Sequence, residues 1–220
     1  MKVVTLIFII LMSNAWKIAL ILISCLGITN ASFCQDNNFI NVHFLYGSKP
    51  ARAYKSVERK WFGGILGGHV GIEVENNKVF NFMKKGKVHW FSKRKTRNSR
   101  FAVHSNDEFW GIFRTPAAAV KKATITIPIT QKQKLQLDSI TRNYLNSTPY
   151  DYAFVGMRCG AATYEILAQL GIVKPYSFQR TYLKIFYPKK LRKRLLKKAE
   201  SNQWPVYREE GLISRRWESD

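Results

Sequence analysis

Between Phe39 and Tyr46 the apolar side chains Ile40, Val42, Phe44 and Tyr46 fall on alternate positions, the period of a strand with one buried face. Short alternating or apolar runs at 69–74, 78–82, 87–91, 101–105, 109–114 and 123–129 predict further strands. The period then changes. Leu137, Ile140 and Tyr144 share one helical stripe, and Thr130 with Gln133 forms a capping box that starts it. The stretch "NSTPYDY" ends this helix and leads into another that opens at Cys159, which Gly171 closes from just beyond its last turn. Strands, a helix, then the Cys helix predict an α+β fold, with an antiparallel sheet packed on a Cys-bearing helix.

One register can be tested from the sequence. In "GGHVGIEVENNKVFNF", a three-residue loop Glu75-Asn76-Asn77 pairs Val74 with Lys78. Val70, Ile72, Val74, Phe80 and Phe82 then share an apolar face, while His69, Gly71, Glu73, Val79 and Asn81 take the other. A one-residue slip would mix the two sets, so the pattern favours this register. It places Asn81 diagonal to His69, within reach of an imidazole.

Three segments follow from composition. Residues 1–34 hold two apolar runs, "VVTLIFIILM" and "IALILISCLG", the second suited to the core of a secretory signal. "SFC" before Gln35 offers a cleavage site, "LISC" at 22–25 resembles a lipobox, and an uncleaved anchor over 3–27 is the third option. Export to the periplasm, cell envelope or medium is therefore expected. The main domain is expected over residues 35–187, and a basic amphipathic extension over 188–220. In that extension Leu191, Leu195 and Ala199 form one stripe among Lys189, Lys190, Arg192, Lys193, Arg194, Lys197 and Lys198, a set suited to an anionic surface. Formal charge is 36 − 14 = +22, which favours an anionic membrane or wall polymer as partner. No nucleic-acid-binding module is recognisable among the Lys and Arg residues.

Removing the signal segment, residues 1–34, takes away Cys25 and Cys34 and leaves Cys159 without a disulfide partner. One Cys and four scattered His show no metal-ligand spacing, and no motif implies a cofactor. At the start of a helix, free N–H groups and the helix dipole are expected to favour the thiolate of Cys159. His69 is the expected base and Asn81 the group that orients it; Glu73 and His89 are reserve candidates. His104 reads as an ordinary strand position.

The pair "GGHVGIEVENNKVFNF" and "YDYAFVGMRCGAATYEIL", in that order, resembles the circularly permuted NlpC-type papain-like hydrolases, including the YiiX-like and lecithin retinol acyltransferase-like groups. The resemblance covers roughly residues 40–172. It implies base, orienting and nucleophile roles for His69, Asn81 and Cys159, with Tyr150 and Asp151 as the lead-in to the Cys helix. Three functions follow as expectations. The first is an exported thiol hydrolase cleaving an amide bond in cell-wall peptides through a thioacyl intermediate. The others are a lipid acyltransferase or deacylase at the membrane surface, and a non-catalytic envelope-binding module.

Overall fold

Alternation along the early segments is realised as strands β1 (Phe39–Leu45), β2 (Ser48–Pro50), β3 (His69–Glu75), β4 (Lys78–Lys84), β5 (His89–Phe91) and β6 (Ser99–Ser105). Helix α1 (Asn106–Trp110), β7 (Lys122–Pro128), α2 (Gln131–Asn146), β8 (Ala153–Val155) and α3 (Cys159–Gln169) follow. The chain ends with α4 (Phe178–Lys184), α5 (Pro188–Asn202), β9 (Val206–Glu209) and β10 (Arg215–Trp217). The structure is a computed structural model that describes residues 38–60, 67–86, 88–91 and 98–220. The expected signal segment, with Cys25 and Cys34, lies outside them, as does part of the glycine-rich stretch before His69. Among the described residues no helix is long and apolar enough to cross a membrane.

The fold is mixed α and β around a six-stranded sheet of order β6-β4-β3-β1-β7-β9, antiparallel at every pairing. One face carries Val42, Phe44, Val70, Ile72, Phe80, Phe82 and Ile125, and α3 packs there through Ala161, Ala162, Ile166 and Leu167. Each large side chain buried on this face contributes about 1.5–3 kcal/mol, so the sheet–helix interface dominates stability. The opposite face is smaller and carries Leu45 and Val79 under Phe109, Trp110 and Val120.

The hairpin between β3 and β4 departs from the expected loop while keeping the expected faces. Glu75 pairs with Lys78, so the turn is the two residues Asn76-Asn77, with Asn77 at φ 61°. A bulge between Glu73 and Glu75 absorbs one residue, which restores the pairs Glu73–Val79 and Ile72–Phe80. The turn chemistry and the apolar pattern asked for different registers, and the bulge satisfies both.

The expected strand over 109–114 is instead α1 followed by a single 3-10 turn. Ser105 and Glu108 form a capping box: the Glu108 N–H donates to Ser105 Oγ and the Ser105 N–H to the Glu108 carboxylate. That start signal outweighs the short alternation after it. The strand expected at 87–91 is shortened to β5, which pairs in parallel with β8 outside the main sheet. The neighbour of β4 is therefore β6 rather than β5.

The C-terminal segment is built into the same compact unit, Asn37–Asp220. Strand β9 extends the sheet at β7, and β10 pairs with β2. Arg192, expected on an anion-facing surface, is fully buried. Its guanidinium lies 3.5 Å from the Tyr46 ring centroid, 2.7 Å from Glu218 and 2.9 Å from Asp220. It is a core cation because two C-terminal carboxylates and an aromatic face replace its water.

Candidate functional site

The polar residues of β3, β4 and β6 line up across the sheet. His69 Nε2 is 2.9 Å from Asn81 Oδ1, and Asn81 Nδ2 is 2.9 Å from His104 Nδ1. The same Nδ2 donates to the carbonyls of Val79 and Ala102, at 3.2 and 3.3 Å. Carbonyls only accept, so these two bonds fix which end of the amide is nitrogen. Oδ1 is then the end that faces His69, which must carry its proton on Nε2. Nδ1 is left as a lone-pair base. In turn, His104 accepts at Nδ1, and burial lowers its pKa.

Gly71 makes this face possible. A Cβ there would stand 2.5 Å from Val79 and 2.9 Å from the Phe109 ring. Phe109 thus packs close over the strand, its ring tilted 39° to that of His69 with centroids 5.6 Å apart. His69 is buried, and that burial lowers its pKa to about 4, with the Asn81 bond opposing the shift and nearby His104 adding to it. It is a neutral imidazole at physiological pH.

Cys159 opens α3 on the other face of the sheet and is buried as a free thiol. Burial pushes its pKa up to about 11. The charge of Arg158, the N–H groups of Gly160 and Val70 and the Tyr152 hydroxyl all oppose that rise. The expectation of a helix-stabilised thiolate is thus overturned: desolvation exceeds what the helix start and these donors supply. No hydrogen bond joins Cys159 to His69. They are linked through β3, since Val70, which acts on the sulfur, is the residue after His69. They are linked again through Tyr152, which acts on Cys159 and lines a cavity of about 170 Å³ together with His69. The remaining walls of this cavity are Gly68, Phe82, Met83, Lys84, Ile112 and Phe113.

No family model, curated protein or solved structure matches the chain. The geometry therefore carries the functional argument.

The reserve candidates lie outside the His69 network. The Glu73 carboxylate accepts from Asn41 Nδ2 at 2.6 Å and from the Asn77 N–H at 2.9 Å, and sits 3.4 Å from His43 Nε2. The His43 contact, with these bonds, brings its pKa down to about 2. Glu73 is spent on holding β1 and the hairpin turn together. His89 is 2.6 Å from the fully buried Asp151 and also bonded to Asn98, and so anchors β5 to the lead-in of α3. Tyr150 is buried and donates to Glu165 at 3.1 Å, while its carbonyl accepts from Ser99. Among the described residues no group of three or more His, Cys, Asp or Glu is placed to hold a metal ion.

Of the expected anion-facing set, Lys190, Lys193 and Lys197 are exposed, and Lys189, Arg194 and Lys198 are half-buried. Arg194 is engaged with the Tyr176 hydroxyl at 2.9 Å, and Lys189 with Ser219. Sequence reasoning missed His104 and Tyr152. The first was legible as a polar residue on a strand, but its partner depended on β6 lying beside β4. The second sat in plain view in "YDYAF" without a spacing rule to single it out.

Proposed function

We propose that this chain is a thiol-dependent acyl-transfer enzyme of permuted papain-like, NlpC-type architecture, exported and acting as a hydrolase on an amide bond of cell-wall peptides. The observation that carries the reading is the locked Asn81 amide, which gives His69 an unprotonated Nδ1. Cys159 is the nucleophile, His69 the base and Asn81 the positioning residue. As Sγ adds to the substrate carbonyl carbon, its proton passes to His69 Nδ1 by way of the cavity that Tyr152 and His69 both line; the C–N bond then breaks and the amine leaves with that proton. Water next attacks the thioacyl carbon, gives a proton to Nδ1 and returns the thiol. N–H groups at the start of α3 would stabilise the oxyanion.

Both groups are neutral at rest, so proton transfer accompanies attack rather than preceding it. The test is an acyl-type thiol probe on the full chain, read by mass spectrometry. Labelling of Cys159 that falls roughly 100-fold or more in His69→Ala supports the dyad. Labelling indifferent to His69 rejects it.

A second reading, acyl transfer or hydrolysis on a lipid, is favoured by the cavity. Phe82, Met83, Ile112 and Phe113 offer apolar walls suited to an acyl chain. Release of a fatty acid from a phospholipid, against release of a new amine from a wall peptide, separates the two. A non-catalytic envelope-binding role predicts instead that Cys159→Ala keeps the full biological effect. Truncation at 188 cannot test that role, because it removes two strands and the five buried residues of α5. Neutralising Lys190, Lys193 and Lys197 to Gln tests it without touching the core.

A further inference from the structure

Arg158 and Gly160, the residues either side of Cys159, have one structural explanation in common. A Cβ on Gly160 would lie 3.1 Å from the backbone of Pro188, so the start of α5 is pressed against the start of α3. That approach brings Phe186 and Tyr187 over Arg158, whose guanidinium lies 3.7 Å from the Phe186 ring centroid and 4.8 Å from that of Tyr187. Phe154 of β8 meets Phe186 at 5.4 Å on one side and Trp90 of β5 at 5.2 Å on the other. The parallel pairing of β5 with β8 sets Trp90 and Phe91 beside Phe154.

The result is a continuous aromatic run from Trp90 to Arg158, ending at the nucleophile's helix. Most of it is open to solvent: Trp90 is 72 % exposed, Phe91 71 % and Phe154 41 %. Leaving such rings in water is unfavourable, and a patch of this kind marks a contact surface. Charge says what kind. The described stretches that form the run, residues 88–91, 152–158 and 178–190, contain no Asp or Glu. Lys184 and Lys190, which bracket Phe186 in the sequence, are both exposed. Exposed Trp and Phe beside exposed Lys, on a chain of formal charge +22, is the composition of a surface that sits at the headgroup level of an anionic bilayer.

We propose that the aromatic face formed by Trp90, Phe91, Phe154 and Phe186 docks this domain on the surface of an anionic phospholipid membrane. The docking presents the Cys159 end of α3 to the lipid. Trp90 and Phe91 enter the interface, while Lys184 and Lys190 meet the phosphates. The function stands beside the proposed thiol chemistry and favours its lipid form, but it does not require the dyad to be active.

The experiment uses the full chain and vesicles of phosphatidylcholine, with and without phosphatidylglycerol, in flotation assays. Trp90→Ser with Phe91→Ser should weaken binding to the anionic vesicles about tenfold or more. Thermal melting and Cys159 labelling should stay unchanged. Brominated lipids should quench tryptophan emission less in Trp90→Phe than in wild type, and Trp204→Phe serves as the control at the far end of α5. Equal binding by wild type and the double variant, or quenching unaltered by Trp90→Phe, overturns the proposal and assigns attachment to another part of the chain. Equal binding to neutral and anionic vesicles overturns its electrostatic half. Loss of Cys159 labelling in His69→Ala alone bears on the dyad and leaves docking untouched.

Discussion

Asn81 concentrates the chemistry of the outer sheet face in one amide. Two backbone carbonyls orient it, His104 Nδ1 shares one of the same two amide protons, and its oxygen sets the tautomer of His69. Asn81→Ala should lower the turnover rate roughly 100-fold with little change in KM, because it removes orientation rather than substrate contact. A fall in KM-limited binding alone would point to a structural role. The thiol gives a second prediction. With burial holding Cys159 near 11, its alkylation by a small reagent should keep rising with pH well beyond the ordinary thiol range. A plateau near pH 7 would contradict this assignment and indicate a preformed ion pair. Acid should act on the fold through His69. Its folded pKa, about 4, lies below the ordinary value of 6.5, so neutral His69 contributes stability above pH 6.5 that is lost as pH falls towards 4. Urea midpoints should drop across that window in wild type and less so in His69→Gln.

Helix α3 is placed by contacts at its first turn. Arg158 precedes it in extended conformation, Gly160 admits α5, and Cys159 follows as the first residue of the helix. Gly160→Ala would push a methyl into the Pro188 backbone, where no flexible side chain can give way. An overpacking cost of about 1–3 kcal/mol is expected, read as a lower melting temperature. An unchanged melting temperature would mean that the helix pair separates freely. The same element shows what the sequence conveyed. Leu137, Ile140, the capping box at Thr130 and the opening of a helix at Cys159 were all readable from local pattern. The α1 turn was readable too, through Ser105 and Glu108, but a short alternation at 109–114 competed with it. Position beats period when a cap is this specific.

At the scale of the molecule, the C-terminal residues close the fold. Buried Arg192, Tyr46 and Glu218, with the exposed Asp220, form an ionic cluster that ties α5 and the last residues to the end of the first strand. Glu218→Gln should destabilise by roughly 3 kcal/mol, since it leaves a buried guanidinium short of a counter-charge. The charge-free pair Arg192→Met with Glu218→Gln should recover part of that loss. If both variants melt like wild type, the cluster is not a closure. Deletion of residues 206–220 should be worse than either, as it removes β9 and β10 together.

Local pattern by itself determined the strand faces, the inner β3–β4 pairs though not the turn that closes them, two helix starts and the candidates Cys159, His69 and Asn81. These depend on periods of two and of 3.6 residues and on caps, all of which act over a few positions. Only the tertiary structure decided the rest. Burial turned Cys159 from an expected thiolate into a thiol, because desolvation depends on what packs around the helix start. Strand order put His104 rather than His89 beside Asn81, and packing took Arg192 out of the surface. Each of those outcomes is set by residues distant in sequence, and no local rule contains them.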